Sequence, residues 1–168
     1  DWRFRFVHAA DFHLEQPPFG ISDVPDHLAE LFLESAYLAA ERVFETVLAE
    51  GAEFLVLSGD LLDPRRTGPR GMLFLVEQFA RLAERQIGVY WAGGRVDPPD
   101  AWPSAVRLPE NVQVFPQSGV EEHVHQRDGR PLARLIGISR TRGRGIRPRD
   151  FDPDPAGLFS IVVLHGTV

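Results

Sequence analysis

Apolar runs and two long amphipathic stretches alternate through the first half of the chain. Residues 4–9 (FRFVHA) have the composition of a buried strand, with Phe4 and Phe6 on one face. Residues 26–50 (DHLAELFLESAYLAAERVFETVLAE) repeat apolar side chains at helical spacing, from Leu28, Leu31 and Phe32 to Val43, Phe44 and Val47. This predicts a helix, bent or broken along its length, that Gly51 terminates. A second buried strand follows at 53–58 (EFLVLS). Then come a Pro/Gly loop at 63–71 (DPRRTGPRG), a helix from Met72 to Arg85 and a third strand at 87–92 (IGVYWA).

A β-α-β-α-β order implies a parallel sheet covered by helices, and ligands of such sheets gather beyond the carboxyl ends of the strands. After a Pro-rich connection at 98–110 the pattern changes. Runs at 112–115, 120–125, 132–139 and 161–165 read as strands without intervening helices, and Asp128-Gly129 marks a hairpin turn. The expected fold is α/β: two sheets stacked as a sandwich and flanked by helices, in one domain over residues 1–168.

Composition narrows the chemistry. With 168 residues, 43% hydrophobic and 25% charged, the chain reads as an ordinary globular domain. It has no cysteine, which excludes disulfides and thiolate metal sites and fits a cytoplasmic location. No apolar run reaches the roughly 20 residues of a membrane span. All 18 basic residues are arginine, yet the net charge of −6 argues against indiscriminate nucleic-acid binding, so any such contact needs a local patch.

Chemistry concentrates where the apolar runs stop. Asp11-Phe12-His13 follows the first strand, Gly59-Asp60 and Asp63 follow the second, and His165 ends the last. Carboxylate and imidazole donors suit manganese, zinc or iron(II) and disfavour soft metals. An aspartate shared by two cations is the usual device of two-metal phosphoesterases, and Asp60 occupies that place, with Gly59 allowing close backbone approach.

These stretches resemble the calcineurin-like metallophosphoesterases, most closely their DNA double-strand-break repair exonuclease (SbcD-like) branch. "HAADFHLEQP" is similar to the first motif, "LSGDLLD" to the Gly-Asp-x-x-Asp motif, "IGISR" to a Gly-Ile-Ser segment, and "IVVLHGTV" to a later strand that ends in a metal-binding histidine. The resemblance covers nearly the whole chain and implies the family's α-β-β-α sandwich. It implies one or two divalent ions, manganese first, with zinc, iron or magnesium as alternatives. Asp11 and His13 would bind the first metal, Asp60 would bridge, His165 would bind the second, and Asp63 would hold the loop or orient a ligand. DNA ends as substrate and a coiled-coil ATPase as partner also follow from the resemblance alone.

The resemblance fails at two places. The family's third motif is Gly-Asn-His-Asp, whereas this chain reads "AGGRVDPPD". Aligned on the Asp-Pro, Arg95 replaces the metal-binding Asn and Val96 the catalytic His; shifted by one, Gly94 and Arg95 do. A guanidinium cannot ligate a metal. Arg95 would clamp phosphate while pairing with Asp60, or would form a salt bridge with Asp97, which is read as a supporting group. The second failure is that the sequence stops at Val168, before the family's Gly-His-x-His, so a C-terminal motif strand is expected to be missing.

Other residues have plainer readings. His8 points away from Asp11 and His27 lies on a helix surface; His123 and His125 form a solvated pair on a hairpin. Arg140, Arg142, Arg144, Arg147 and Arg149 crowd one loop, as a solubilising segment or as phosphate-backbone contacts, and Arg65, Arg66 and Arg70 would extend that patch. Two functions compete: a metal-dependent phosphodiesterase acting on DNA ends, and a domain that keeps the fold but has lost most or all catalysis and binds phosphates or a partner. A phosphatase of proteins or small molecules is the third, resting only on the breadth of the family.

Overall fold

Short strands of Phe, Val, Leu and aromatic residues can be buried on both faces, and here they build a fully parallel sheet. Its order is β1 (Phe6–Ala9), β2 (Phe54–Leu57), β3 (Gly88–Ala92) and β4 (Val112–Phe115). The computed structural model describes residues 3–16, 24–141, 151 and 157–166. Helix α1 (Asp26–Ala49) links β1 to β2, and α2 (Pro69–Ala83) links β2 to β3. A second sheet holds β5 (Glu121–Arg127), β6 (Arg130–Ile138) and β7 (Phe159–Leu164), with β5–β6 antiparallel and β6–β7 parallel. Asp128 and Gly129 close the β5–β6 hairpin with φ of 51° and 74°, the left-handed pair that a type I′ turn requires.

Two cores follow from strand alternation. Leu55, Leu57, Val89 and Trp91 face the helices and pack against Phe44, Val47, Phe79 and Leu82. Phe54, Val56, Tyr90 and Ala92 face the other way, onto Phe115, Ala133, Leu135 and Val163. The result is the expected two-sheet α/β sandwich, with α1 and α2 on one face of the first sheet. Among the described residues no helix covers the outer face of the second sheet, where Val124 and Val162 stand partly exposed. No helix of the described residues is long and apolar enough to cross a membrane.

Three expectations need correction. Helix α1 runs unbroken over Asp26–Ala49; it contains no Pro or Gly, and the Ser35 hydroxyl folds back to donate to the Phe32 carbonyl at 2.7 Å. Helix α2 begins three residues before Met72, at Pro69, because its N-terminal amides find a distant acceptor: Glu15 accepts from Gly68 N–H at 2.8 Å and Gly71 N–H at 3.2 Å. His123 and His125 are not a solvated pair. Both turn inward against the first sheet. His125 packs on the Phe54 ring at 4.8 Å, contacts the Tyr90 hydroxyl at 3.0 Å and lies 3.8 Å from Glu53. Burial holds the His125 imidazolium below its ordinary pKa against the pull of Glu53, and pushes the Tyr90 hydroxyl up to about 12.

The sheets meet closely at Gly137, where a Cβ would run into the Phe115 ring. Gly137→Ala should therefore overpack this contact and destabilise the fold by roughly 1–3 kcal/mol in urea unfolding. An unchanged midpoint would show that Phe115 yields freely.

Candidate metal centre

The parallel pairing of β1 with β2 continues past the strand ends as an irregular ladder. Ser58 N–H donates to Ala9, Asp11 N–H to Gly59, His13 N–H to Asp60 and Leu14 N–H to Leu61, at 2.9–3.1 Å. Leu14 and Leu62 form a parallel bridge, and both are fully buried. To stay zipped while turning, the backbone adopts positive φ at Asp11 (56°), His13 (47°), Glu15 (63°) and Asp60 (54°). Each such residue costs roughly 1–3 kcal/mol and persists only because its surroundings over-determine it. Gly59, at φ 76°, is required twice: an added Cβ would lie 2.5 Å from the Gly94 Cα and 3.0 Å from the His165 ring.

This ladder sets Asp11 beside Asp60, and β7 delivers His165 from the other sheet. Ligand atoms of Asp11, Asp60 and His165 all lie within 4.8 Å of one another. His165 Nδ1 is 2.7 Å from the Ser58 carbonyl, which can only accept, so Nδ1 carries the proton. Nε2 then offers its lone pair toward Asp60 Oδ2, 3.5 Å away. His13 repeats the arrangement: Nδ1 meets Gln16 Oε1 at 3.0 Å, and Nε2 faces Asp11 Oδ1 at 3.4 Å. His13 thus stands next to Asp11, outside the mutual three-residue group. Lone pairs and carboxylate oxygens that face each other require a cation or a proton between them. The donor set therefore fits a hard or borderline divalent ion.

The 93–97 loop covers Asp60 from β3. Arg95 N–H and Val96 N–H donate to Asp60 Oδ1 at 2.5 and 3.0 Å. Asp97 is buried beneath this loop and accepts from Asp60 N–H (2.8 Å), Gly94 N–H (2.7 Å) and Leu61 N–H (3.0 Å). Burial raises the Asp97 carboxyl above the ordinary aspartate range, the three amides oppose that, and the nearby Asp60 charge adds to it. The expected Arg95–Asp97 salt bridge does not form, because both oxygens of Asp97 are taken by amides. The expected Arg95–Asp60 pairing is made by the backbone N–H of Arg95, not by its guanidinium, which is exposed. Arg95 lines a cleft of about 750 Å³ with Arg65, Arg140 and Asp100.

The remaining candidates separate. Asp63 shapes its own loop: Oδ1 accepts from Arg65 N–H, and its carbonyl accepts from Arg66 N–H, Thr67 N–H and the Thr67 hydroxyl. Arg66 lies near Asp63 and Arg70 pairs with Glu34, so neither joins Arg65 in the cleft. Arg142, Arg144, Arg147 and Arg149 lie outside the described residues. His8 Nε2 meets Ser58 Oγ at 2.9 Å, and His27 is exposed on α1.

Two supporting residues escaped the sequence reading. Glu15 binds the Tyr37 hydroxyl at 2.7 Å and the start of α2, which moors the Asp11–Glu15 loop. Ser139 accepts from Gly93 N–H at 2.7 Å and donates to the Phe115 carbonyl, which ties the 93–97 loop to both sheets. Ser139 lies in the quoted Gly-Ile-Ser stretch, but Glu15 carried no local signal beyond following the Asp-x-His.

No protein-family model matches the chain. Over 168 aligned positions it is 33% identical to a Bacillus subtilis (strain 168) protein described as the uncharacterized metallophosphoesterase YhaO; the match covers 97% of this chain and 40% of that protein. The chain therefore spans about two-fifths of the length of this relative.

Asp97→Asn keeps the shape but turns an amide NH₂ toward buried N–H donors. It should lower stability by about 1–3 kcal/mol in urea unfolding and weaken metal uptake by roughly 10–100-fold in competition with a chromogenic chelator. If neither quantity moves, Asp97 does not support the centre.

Proposed function

We propose that this chain is a metallophosphoesterase domain, a divalent-metal-dependent hydrolase of phosphate esters. The convergence of Asp11, Asp60 and His165 at the carboxyl ends of β1, β2 and β7 carries the reading. The likeness to YhaO along nearly the whole chain supports it. In this reading Asp11, Asp60 and His165 hold the ion, with His13 beside Asp11. The ion, when bound, supplies Lewis acidity to a phosphoryl oxygen and makes a water more acidic. The chain's own groups do the orienting. Ser58 fixes the His165 tautomer through its carbonyl, and the two amides of the 93–97 loop hold the Asp60 carboxylate in one rotamer. By the similarity of "HAADFHLEQP" and "LSGDLLD" to the repair-exonuclease motifs, the substrate is a phosphodiester at a DNA end, manganese is the working ion, and a coiled-coil ATPase is the partner.

A second reading has an observation of its own. Asp60 Oδ1 is occupied by two backbone N–H groups at the place where the resemblance would put an Asn ligand of a second ion. Arg95 and Val96 offer no ligand there. This favours a single-ion centre with slow hydrolysis, or a domain that binds phosphate esters without turning them over.

Hydrolysis of an aryl phosphodiester with added manganese, measured beside elemental analysis, tests the first reading. The protein should carry one ion per chain, and Asp60→Ala should reduce both ion content and turnover to the level of the chelator-treated protein. Turnover that survives Asp60→Ala would sink the assignment. For the second reading, Arg95→Asn combined with Val96→His should raise the ion content above one per chain and speed turnover. If ion content and rate stay where they were, the 93–97 loop does not limit the centre.

A further inference from the structure

Three loops that leave three different strands bring arginines to one cleft: Arg65 after β2, Arg95 after β3 and Arg140 after β6. Among the described residues one acid, Asp100, lines the same space, and it lies 4.0 Å from Arg65. Some arginines elsewhere pair closely with carboxylates, Arg70 with Glu34 at 2.7 Å and Arg81 with Glu45 at 2.6 Å. Among the described residues Arg95 and Arg140 have no such acid. Like charges gathered in one concavity repel each other and raise the local concentration of anions. Guanidinium is also the side chain whose planar fork matches two phosphate oxygens at once.

Arg95 joins this cleft to the metal centre. Its amide donates to Asp60 Oδ1 at 2.5 Å while Arg95, an exposed residue, also lines the cleft, and Gly94 belongs to both walls. An anion in the cleft is therefore one residue away from the carboxylate cluster. At about 750 Å³ the cleft is far larger than a single phosphate group needs.

We infer that the Arg65–Arg95–Arg140 cleft is a subsite for a second phosphoryl group of the substrate, so that the chain prefers molecules carrying two or more phosphates. The inference rests on the phosphoesterase reading for the identity of the first phosphate. The second phosphoryl group comes from an adjacent phosphate of a diphosphate or from the next phosphodiester of an oligonucleotide. No bond is made or broken in the cleft. Its arginines hold a non-reacting phosphate and so position the reacting one.

Binding in excess chelator, where the metal centre contributes nothing, isolates the subsite. Inorganic pyrophosphate, orthophosphate and a short single-stranded oligonucleotide are titrated at low salt by calorimetry. Pyrophosphate or the oligonucleotide should bind at least about tenfold more tightly than orthophosphate. Arg95→Gln and Arg140→Gln should each remove roughly a factor of ten, the scale of one charge-assisted hydrogen bond. Whichever of the two ligands shows the arginine-dependent affinity identifies the source of the second phosphate. Both arginines are exposed, and unchanged thermal unfolding of the variants checks that they fold. Equal affinity for orthophosphate and the polyphosphorylated ligands, or binding indifferent to both arginine changes, would overturn the subsite. Those outcomes leave Asp60-dependent turnover untouched. Loss of the phosphoesterase reading would instead appear as absent ion uptake and turnover with the arginine-dependent binding preserved.

Discussion

The ladder between residues 9–14 and 58–62 is the contact on which the rest of the site depends. Strand pairing alone would stop at Ala9 and Leu57. The amides of Asp11, His13 and Leu14 carry the pairing onward, and the left-handed turns at Asp11 and His13 set two polar side chains at the sheet edge. The strain in those turns is of the order of a few kcal/mol, and it is held by burial: Leu14, Leu61 and Leu62 are fully enclosed, and Glu15 is moored to α2 and Tyr37. A loosened Leu14–Leu62 bridge would release Asp11 from Asp60, although no candidate ligand had changed.

A second layer of support lies under Asp60. Asp97 carries a buried carboxyl whose pKa burial raises, and it is met by three amides, which oppose that shift. That exchange converts an unfavourable buried acid into a rigid staple between the 59–61 and 93–97 segments. Ser139 extends the staple to the second sheet. His165 enters from that sheet with its tautomer set by the Ser58 carbonyl, so both layers of the sandwich contribute to one centre. The inter-sheet core of Phe54, Tyr90, Phe115 and Leu135 thus acts on the chemistry indirectly, through the distance between β7 and β2.

The departure at Arg95-Val96 has a consistent physical role in this arrangement. A loop without ligands still contacts Asp60, but through amides, and neutral N–H donors stabilise a carboxylate with far less charge than a second cation would bring. Arg95, whose guanidinium cannot ligate a metal, is exposed and lines the neighbouring cleft.

The order of elements, the parallel first sheet, the hairpin at Asp128-Gly129 and the strand-end positions of Asp11, Asp60 and His165 were all legible in the chain, because hydrophobic period and turn chemistry are local properties. Tertiary structure alone decided where distant groups meet. Glu15 starts α2 early, Asp97 turns from a partner of Arg95 into a buried acceptor, and His123 and His125 move from the surface to the space between the sheets. For Glu15, Asp97 and His125 the deciding energy is the satisfaction of buried polar groups by partners far away in sequence. No pattern along one chain encodes which amide or ring will be left wanting a partner until the layers are packed.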